Sequence, residues 1–497
     1  MICVSIGRSR HKMMIAEHKA MAERGVQLAE LRLDFLSRTP DVGPLLADRP
    51  TPVVVTCRRA VDRGLWRGSE DQRLTTLRAA ILAGVEYVDL EGDIAGQIRR
   101  YGKTKRIVSH HDFEETPPNL EQIHASLCTL DPDIVKIATM AKSHEDNIRM
   151  LKLVANSKVP TIGFCMGELG IVSRVLTGKY GAPFTYAAVS NDRTLAPGQL
   201  TFDEMRDIYN YDAINADTGV FGVVGDPIGH SLSPRLHNAA FRRAGLNNVY
   251  LPFRVAPTTL LSTLRAFEWL NVRGYSVTIP HKEDLLEATK NQDGPLTEIG
   301  AANTLYHDAA NEWRLANTDY DAALDSLKEG LKGDSPDPEA ADLSGKRVLI
   351  LGAGGVSKAI AMGLMKAGAA LTITNRHKVR GSSLAAKLGC QYVTWENRGV
   401  QFADILINCT AVGMQPNVDD TPFAENWLRE GMLVFDTVYT PERTLLIKQA
   451  RDRGCRTVTG VEMFIRQAAH QFKLFTGVEP SLDEFRETLR AAISVAK

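Results

Sequence analysis

Short β-rich segments recur along the chain up to about residue 190, at intervals of roughly 20–30 residues, with helix-compatible stretches between them. Alternation of this kind is typical of βα units in a parallel sheet, and eight such units close into a barrel. We therefore predict an α/β fold that begins with a (β/α)8 TIM barrel over residues 1–208. Its strands are predicted at ICVSIG, QLAELRLD, PVVVTCR, YVDLEGD, RIVSHHD, DIVKIAT, PTIGFCM and PFTYAAV.

The chain is too long for a single hydrophobic core, since its 497 residues predict two or three domains of about 100–250 residues each. Its 59 basic and 59 acidic side chains balance, which argues against a nucleic acid partner. The seven cysteines include no C-x-x-C pair, which favours reduced thiols over a disulfide framework or a zinc site. We predict a protein that binds small molecules and no metal.

The segment MICVSIG starts directly as an apolar strand and lacks the basic and apolar regions of a signal peptide. No apolar run in the sequence is long enough to cross a bilayer. We therefore expect a cytoplasmic protein without a membrane partner. The sequence leaves the oligomeric state open.

Charged and polar residues lie toward the C-terminal ends of the predicted barrel strands, where barrel enzymes keep their active sites. Taken singly, each could be a solvated charge or a satisfied core residue. Taken together on one rim, they predict a site. The residues are Glu30, Arg32, Arg58, Asp89, Glu91, His111 and Lys136.

Lys136 gives the most specific signal of this group. In DIVKIAT it shares a strand face with Ile134 and Ala138, so its ammonium is predicted to be buried. Burial disfavours the charged form of a lysine, lowers its pKa and makes the amine nucleophilic toward a carbonyl. Lys136 is therefore a candidate for Schiff-base formation. His111, at the end of the preceding strand, is the candidate general acid and base, since imidazole titrates near neutral pH.

These residues resemble the family of type I 3-dehydroquinate dehydratases, and the resemblance extends over residues 1–208. It implies that Lys136 forms an imine with the C3 ketone of 3-dehydroquinate. It also implies that His111, within SHHDF, removes a C2 proton and that the C1 hydroxyl leaves as water. The substrate-binding groups that it implies are Glu30 and Arg32 of ELRLD, Arg58 of TCR, Met166 of CMG, Arg174 of VSR, Phe184, and Gln199 of APGQ.

Two positions differ from the pattern of that family. Asp62 stands four residues after Arg58, where glutamate is usual, and is the carboxylate expected to orient His111 and contact substrate. Leu195 stands shortly before the APGQ segment, where a serine is common. The second change does not touch the lysine chemistry.

A polar, turn-rich segment, YNYDAINADTG, follows at residues 209–219 and is predicted to be a linker. Beyond it, GDPIGHSLSPRLHN places two serines just before a proline that suits the first turn of a helix, so a helix is predicted from Pro234. Ser233 could simply cap this helix. Alternatively, Ser231 and Ser233 form a carboxylate site with help from the helix dipole.

Polar residues also lie in the next three motifs. GYSVTIPHKED contains Thr278 and Lys282, GAANTL contains Asn303, and ANTDYDA contains Asn317 and Asp319. A lysine and an aspartate from separate loops could pair, which would orient the amine for proton transfer with a substrate oxygen.

A spacer, LKGDSPDPEAAD, is predicted to be an exposed loop at residues 331–342. In KRVLILGAGGVSKAIAMGLMKAG, a buried strand, a glycine turn and a helix then follow one another, as in dinucleotide-binding folds. About 20 residues after the first glycine, Asn375 and Arg376 stand where NAD-selective sites carry an acid. Arginine suits a 2′-phosphate, so we predict an NADP-binding Rossmann domain at residues 343–460.

The segment from residue 220 to the end resembles shikimate dehydrogenase. The resemblance implies reduction of 3-dehydroshikimate to shikimate with NADPH, with Lys282 and Asp319 handling the proton. It also implies a shikimate-binding domain at 220–330 that helices at 461–497 complete. The implied substrate contacts are Ser231, Ser233, Thr278, Asn303, Tyr439 and Gln467; the implied cofactor contacts are Gly352, Ala353, Gly354, Gly355, Val356, Asn375, Arg376, Thr410, Met414 and Gly460.

Two details refine this second resemblance. Ser276 of GYSVTIP stands where many single-domain members have asparagine, and in this respect the chain looks like the fused plant-type enzymes. In VEMFIRQAAHQFKLFTG, Met463, Gln467 and Gln471 recur at helical spacing; we expect Met463 to pack in the core and Gln467 to face substrate.

The two implied reactions are consecutive, which predicts a bifunctional enzyme of aromatic amino acid biosynthesis. Two alternatives remain at this stage. The second half could be a catabolic quinate or shikimate dehydrogenase that uses NAD, against which the Asn375 and Arg376 pair argues. The chain could also be a non-catalytic metabolite sensor, against which its four candidate catalytic residues and its neutral charge argue.

Overall fold

The computed structural model describes residues 1–292 and 296–495. Within those ranges, no helix combines the length and apolar character needed to cross a membrane. The chain divides into two compact units. One contains Met1–Gly222, Ile228–Arg254 and Ser262–Val272, and the other contains Val223–Pro227, Val255–Leu261 and Arg273–Lys497.

The first eight strands confirm all eight predicted positions. They pair in parallel, with the seventh and eighth strands at the two ends of the order 7-6-5-4-3-2-1-8. This is the predicted barrel-type fold. The strands are β1 (Ile2–Ile6), β2 (Leu28–Arg32), β3 (Val53–Thr56), β4 (Tyr87–Glu91), β5 (Lys105–Asp112), β6 (Ile134–Met140), β7 (Thr161–Met166) and β8 (Thr185–Ala188).

Helices lie between these strands, and local sequence sets where they begin. Ser69 and Gln72 form a capping box, in which the hydroxyl of Ser69 accepts a hydrogen bond from the Gln72 N–H and the Gln72 side chain accepts one from the Ser69 N–H. A helix therefore starts at Glu70. The helices are α1 (His11–Glu23), α2 (Val42–Leu46), α3 (Glu70–Leu82), α4 (Leu120–Cys128), α5 (His144–Asn156) and α6 (Ile171–Leu176).

The inward faces of the barrel strands are apolar at one level and polar at the next. Leu28, Val54 and Ile134 belong to one buried apolar cluster. Because side chains on one face of a strand recur every second residue, Glu30 and Lys136 follow on the same faces, two residues nearer the C-terminal ends. The apolar cluster therefore forms a floor beneath the polar groups.

A five-stranded sheet follows, in the strand order 10-9-11-12-13 and with antiparallel pairing from the eleventh strand to the thirteenth. Its strands are β9 (Gly219–Gly225), β10 (Asn248–Arg254), β11 (Val272–Val277), β12 (Thr304–His307) and β13 (Trp313–Ala316). The helices of this region are α7 (Ser233–Arg243), α8 (Leu260–Ala266), α9 (Leu296–Ile299) and α10 (Thr318–Lys332).

The third sheet has six parallel strands in the order 16-15-14-17-18-19, which is the doubly wound order of dinucleotide-binding folds. The predicted Rossmann fold is confirmed. Its strands are β14 (Arg347–Leu351), β15 (Ala370–Thr374), β16 (Gln391–Tyr392), β17 (Ile405–Asn408), β18 (Leu433–Asp436) and β19 (Arg456–Val458). The helices are α11 (Gly355–Lys366), α12 (Lys378–Leu388), α13 (Leu445–Asp452), α14 (Gly460–Thr476) and α15 (Leu482–Val495).

Two predicted connections differ from the structure in detail. The linker predicted at 209–219 packs against the fold in part, since the aromatic side chains of Tyr209 and Tyr211 are buried. The spacer predicted at 331–342 is not wholly loop, because α10 continues through Lys332 and a 3-10 turn forms at Pro338–Ala341. Residues 496 and 497 of the predicted helical segment 461–497 lie outside the described residues.

Candidate active sites

Lys136 lies inside the barrel with 5% of its surface exposed, so its predicted burial is confirmed. Its Nζ is 3.0 Å from Oδ2 of Asp89 and 3.8 Å from Oε1 of Glu30. The ring of Tyr186 covers the amine, with 3.9 Å between Nζ and the ring centroid. The surroundings are therefore not simply apolar, because two carboxylates and a π face lie beside the amine.

Asp89 is part of a buried network of charges. Arg58 donates to Asp89 and to Glu91, each at 2.8 Å, and Arg73 donates to Glu91 at 2.9 Å. Burial alone would raise the pKa of the Asp89 carboxyl, but the Arg58 and Lys136 cations hold that pKa well below its usual range. The sequence analysis missed Arg73, which lies on α3.

Glu30 is held by two hydroxyl groups that the sequence analysis also missed. Ser5 donates to Oε2 of Glu30 at 2.6 Å, and Thr56 donates to Oε1 at 2.8 Å. Arg32, the next predicted substrate contact, forms a two-bond ion pair with Asp34, at 2.9 and 2.8 Å. Both predicted residues are thus fixed in position by neighbouring side chains.

His111 ends up in a different electrostatic state from the one that the sequence analysis expected. Burial, followed by the positive charges of Arg58 and Lys136, lowers its pKa well below the ordinary value. The imidazole is therefore neutral near neutral pH rather than half protonated. Its ring stacks on Phe113 with 6.1 Å between centroids.

Asp62 does not adopt the predicted orienting contact with His111. Its carboxylate accepts a hydrogen bond at 2.7 Å from Nε of Arg59, whose other nitrogens bind Asp93. Arg59, three residues earlier in the chain, binds this carboxylate, which is one methylene shorter than that of glutamate. Burial lowers the pKa of the neighbouring His110, and the negative charge of Asp62 opposes that shift.

Arg174 is an almost fully buried cation, with 1% of its surface exposed, stacked on Phe164 at 4.5 Å. Within the described residues no carboxylate pairs with it and its Nε has no hydrogen-bond partner. Its Nη2 donates to the carbonyl of Pro197 at 3.1 Å. Burial lowers the pKa of the guanidinium to about 10. A buried cation that lacks a carboxylate is a ready binding group for an anionic ligand.

The neighbourhood of Arg174 contains two more predicted residues. Pro197 also accepts the N–H of Gly167 at 3.0 Å, directly after Met166 at the end of β7. Gln199 lies two residues beyond Pro197, and its side chain accepts the N–H of Leu195 at 2.8 Å. The structure therefore brings Met166 and Gln199 together with Arg174.

Phe184 is the one predicted barrel contact that the structure moves out of the site. It is fully buried and packs edge-on against Tyr87 and Tyr186, at centroid distances of 5.8 and 5.7 Å. The prediction of a substrate contact is therefore wrong, because Phe184 belongs to the apolar floor. Tyr186, two residues later on the same face, is the aromatic residue at Lys136.

Ser231 and Ser233 lie at the start of α7. The helix begins at Ser233, and Leu232 occupies the capping position without a side-chain hydrogen bond. Ser231 Oγ accepts the N–H of Ser233 at 3.3 Å. The alternative that Ser233 caps the helix is therefore wrong.

Lys282 and Asp319 form the predicted pair, with 2.6 Å between Nζ and Oδ2, and both side chains are largely buried. Asn317 sets the position of the aspartate by capping α10, since its side chain accepts the N–H groups of Asp319 and Tyr320. Asn317 also donates to the carbonyl of Ala301 at 2.8 Å. Asp319 thus sits in the first turn of α10, where the helix dipole stabilises its negative charge.

Asn303 is buried and engaged with Thr318, whose N–H donates to Oδ1 of Asn303 at 2.8 Å. Ser276, the position typical of fused enzymes, donates at 2.7 Å to Gln471. Gln471 in turn donates to the carbonyl of Asn303 at 3.2 Å. Thr278 follows β11, and its N–H donates to the carbonyl of Val224 at 2.9 Å.

Tyr439 and Gln467 meet at a third residue, Phe464. The rings of Tyr439 and Phe464 stack at 4.5 Å, and Gln467 donates to the carbonyl of Phe464 at 3.1 Å. Met463 is buried in a core cluster, as predicted.

The glycine turn predicted for a dinucleotide lies between β14 and α11. Gly352 has φ +115°, and a Cβ there would lie 2.9 Å from the carbonyl oxygen of Cys409. Gly354 precedes α11, which begins at Gly355. A Cβ on Gly355 would lie 3.3 Å from the side chain of Lys282, so the turn closely approaches the predicted catalytic lysine. Ala353 and Val356 complete this segment.

The other predicted cofactor contacts lie after β15, β17 and β19. Arg376 is exposed just beyond β15, and within the described residues no acidic side chain pairs with it. Asn375 donates to the carbonyl of His377 at 3.0 Å. The N–H and the hydroxyl of Thr410 both donate to Oδ1 of Asn408. Met414 is half exposed. A Cβ on Gly460 would lie 2.5 Å from the carbonyl oxygen of Val438.

Comparison with known families matches four segments of the chain. Residues 2–216 match the family described as type I 3-dehydroquinase. Residues 223–305 match the shikimate dehydrogenase substrate binding domain, and residues 337–436 match the family described as shikimate/quinate 5-dehydrogenase. Residues 460–490 match the shikimate 5′-dehydrogenase C-terminal domain.

Individual relatives agree with these matches. The chloroplastic bifunctional 3-dehydroquinate dehydratase/shikimate dehydrogenase of Arabidopsis thaliana is 36% identical over 498 residues, covering 96% of this chain and 82% of that protein. The NADP(+) shikimate dehydrogenase of Methanosarcina acetivorans is 38% identical over 284 residues, covering 55% of this chain and 98% of that protein. A crystal structure of shikimate dehydrogenase in complex with NADP+ is similar with a TM-score of 0.52 and 33% identity, over 56% of this chain and 97% of that chain.

Fold and similarity together define a two-enzyme chain, in which a lyase precedes an oxidoreductase. The chain belongs to the family of bifunctional 3-dehydroquinate dehydratase/shikimate dehydrogenases. It therefore carries a type I dehydroquinase activity and a shikimate dehydrogenase activity in one polypeptide.

Proposed function

We propose that each activity depends on one buried lysine that an aspartate holds in place. The observation that carries this proposal is the pair of short contacts, 3.0 Å between Lys136 and Asp89 and 2.6 Å between Lys282 and Asp319. The first lysine acts as a nucleophile toward a ketone, and the second as a proton donor to one. The substrates are 3-dehydroquinate and 3-dehydroshikimate.

In the dehydratase, Lys136 gives up one proton and its amine attacks the C3 carbonyl carbon of 3-dehydroquinate. The carbinolamine hydroxyl takes up that proton and leaves as water, which gives an iminium ion. The iminium nitrogen withdraws electrons, which makes the C2–H bond acidic. The positive charge of the iminium replaces that of the ammonium, so Asp89 and Glu30 still balance it. The buried carboxylates therefore stabilise the intermediate as well as the free lysine.

His111 removes the C2 proton to give an enamine and then donates a proton to the C1 hydroxyl, which leaves as water. Its lowered pKa supports the first step, since a neutral imidazole is a competent base near neutral pH. Hydrolysis of the remaining imine consumes one water and restores Lys136. The net change is loss of one water from 3-dehydroquinate.

Arg174 is the proposed anchor for the carboxylate of the substrate. Its burial without an acidic partner, among the described residues, supports this role because a bound carboxylate would compensate the charge. Met166 and Gln199 lie beside it, and Glu30, Arg32, Arg58 and Asp62 are proposed as the other substrate-binding groups. Tyr186 replaces Phe184 as the aromatic residue at the reacting lysine.

In the dehydrogenase, the proposed cofactor is NADPH, which supplies the hydride that reduces the ketone when it is bound. The residues present fit this group, because Gly352 has a conformation and a close contact that only glycine accepts, and because Arg376 is a solvent-exposed cation. The turn from Gly352 to Val356 would hold the pyrophosphate. Asn375 and Arg376 would hold the 2′-phosphate, and Thr410, Met414 and Gly460 would line the nicotinamide side.

Lys282 donates a proton to the carbonyl oxygen of 3-dehydroshikimate as that oxygen gains negative charge. Asp319 holds the ammonium toward this oxygen, and the capping residue Asn317 fixes Asp319. Ser231 and Ser233, at the start of α7, are proposed to bind the substrate carboxylate. Thr278, Asn303, Tyr439 and Gln467 are proposed as further substrate contacts. The product of the first reaction is then the substrate of the second, which supports a role in aromatic amino acid biosynthesis.

The test is to incubate the purified chain with 3-dehydroquinate and either NADPH or NADH, and to follow enone absorbance and nicotinamide oxidation together. Shikimate formed with NADPH is the expected result. Lys136→Ala should abolish only the dehydratase, and Lys282→Ala should lower the reductase rate by about 10²–10⁴-fold while the dehydratase stays unchanged. Loss of both activities in either variant would contradict two separate sites.

A further inference from the structure

A buried carboxylate joins the ends of two neighbouring strands in the six-stranded sheet. Asp436 ends β18 and Asn408 ends β17, and the two residues are register partners. Oδ1 of Asp436 accepts hydrogen bonds from Nδ2 of Asn408 at 2.9 Å and from the N–H of Val438 at 3.0 Å. Oδ2 accepts the hydroxyl of Thr444 at 2.6 Å. Asp436 is 0% exposed, so these bonds form without competition from water.

Asn408 also forms hydrogen bonds with the loop at residues 409–414, so its fixed position fixes this loop. Its Oδ1 accepts the N–H of Thr410 at 2.9 Å and the hydroxyl of Thr410 at 2.7 Å, and its Nδ2 also donates to the carbonyl of Val412 at 3.3 Å. Val438, on the other side of Asp436, directly precedes Tyr439. One carboxylate therefore fixes the loop proposed to line the nicotinamide and the loop that carries Tyr439.

The carboxylate has no cation beside it in the part of the chain that the structure describes. The titratable group that faces it is the Cys409 thiol, whose pKa is raised to about 12 by burial and by the charges of Asp436 and Asp319, so that this thiol stays neutral. Burial raises the pKa of Asp436 to about 6, because the hydrogen bonds from Thr444, Val438 and Asn408 offset only part of the cost of the buried charge.

We propose that Asp436 is a positioning residue for the loop at 409–414, and that its ionised form holds this loop through Asn408 in the geometry that binds the nicotinamide cofactor. An ionised carboxylate accepts hydrogen bonds that are roughly twice as strong as those of a neutral carboxyl group. Uptake of a proton by Asp436 therefore loosens Asn408 and Val438 together and weakens cofactor binding. This role rests on the proposed assignment of the loop to an NADP site.

Asp436→Asn tests the proposal, since asparagine keeps the shape and most of the hydrogen bonds but cannot titrate. The NADP+ dissociation constant of the full chain is measured by calorimetry between pH 5 and 8. Asp404→Asn is the matched control, because Asp404 precedes the opposite end of β17 and pairs with the exposed Arg347. Titration of the phosphate groups of NADP+ also changes binding with pH, but this effect is the same in the wild type and in both variants.

The wild type and Asp404→Asn should each lose about 10-fold more affinity between pH 7.5 and 5 than Asp436→Asn does, as expected when charge-assisted hydrogen bonds become neutral ones. Parallel profiles in the three proteins would overturn the positioning role alone. Failure of the wild type to bind NADP+ at any pH would overturn the proposed cofactor site and this role with it.

A second pair of variants applies if Asp436→Asn does not fold. Thr444→Val removes the hydroxyl that donates to Oδ2, whereas Thr444→Ser keeps it. The midpoint of the pH profile should move upward in Thr444→Val only, because the ionised carboxylate loses a donor. An unmoved midpoint would overturn the proposal, as would a parallel loss of dehydratase activity, which would mark general unfolding.

Discussion

Lys136 and Asp89 form an ion pair inside the barrel, and the same aspartate also binds Arg58 at 2.8 Å. One carboxylate thus positions both the proposed nucleophile and a predicted substrate-binding cation. Because Arg58 also binds Glu91, which in turn binds Arg73, the charge state of the site is set by a chain of contacts rather than by one pair.

Asp89→Asn is expected to lower the free energy of unfolding of this part of the chain by about 3–5 kcal/mol, because it leaves buried cations uncompensated. The lowered pKa of Asp89 means that its stabilisation is present above about pH 4 and is lost as pH falls. The difference in the free energy of unfolding between the wild type and Asp89→Asn should therefore become smaller at acid pH. Urea unfolding at pH 7 and at lower pH measures it. Equal free energies of unfolding of the wild type and Asp89→Asn at pH 7 would show that the ion pair between Lys136 and Asp89 does not stabilise the fold.

Arg174 and Arg73 are both almost fully buried, yet opposite outcomes are expected when they are replaced. Arg174→Met should raise the dehydratase KM by about 10–100-fold, because a charged hydrogen bond to the substrate is lost, and should leave the fold as stable or more stable. Arg73→Met breaks ion pairs with Glu70 and Glu91 and should destabilise the fold by about 3–5 kcal/mol. Thermal unfolding and steady-state kinetics on both variants separate these effects. Marked destabilisation by Arg174→Met would indicate a structural role instead.

The pH dependence of the dehydratase follows from His111. Since burial and two neighbouring cations lower its pKa, the neutral base persists as pH falls below 6.5. The acid limb of kcat/KM should therefore lie well below pH 6.5, and His110→Gln should leave it in place. A limb centred near 6.5 would mean that His111 titrates as an ordinary exposed histidine.

Arg376 should decide the choice between the two nicotinamide cofactors. Arg376→Ala is expected to raise the reductase KM for NADPH by about 10–100-fold and to leave the KM for NADH unchanged, because only NADPH carries a 2′-phosphate. Arg347→Ala, at the opposite ends of the strands, serves as the control. Equal losses with both cofactors would place Arg376 outside the phosphate site.

The barrel strands and the Rossmann fold could be predicted because strand spacing and the glycine turn are local patterns. The burial of Lys136 was predictable for the same reason, since alternation fixes the face of a strand. Alternation does not fix depth: Phe184 and Tyr186 lie on one face of PFTYAAV, yet Phe184 belongs to the apolar floor and Tyr186 lies at Lys136.

Contacts between distant segments could not be read from the sequence. Arg73 reaches Glu91 from a helix, and Ser5 reaches Glu30 from the neighbouring strand, so both depend on tertiary register. Asp62 shows the reverse case, in which the family resemblance implies a contact with His111 but the nearer Arg59 binds the carboxylate. The shift in the pKa of His111 likewise depends on cations from two other parts of the barrel, Arg58 just beyond β3 and Lys136 in β6.

Imine formation at Lys136 is tested most directly by treating the full chain with 3-dehydroquinate and borohydride and locating the reduced adduct by peptide mass mapping. An imine on a lysine becomes a stable secondary amine under these conditions. We expect a single adduct on Lys136, absent from Lys136→Ala and retained in Lys282→Ala. An adduct on another lysine, or full dehydratase activity without any adduct, would contradict it.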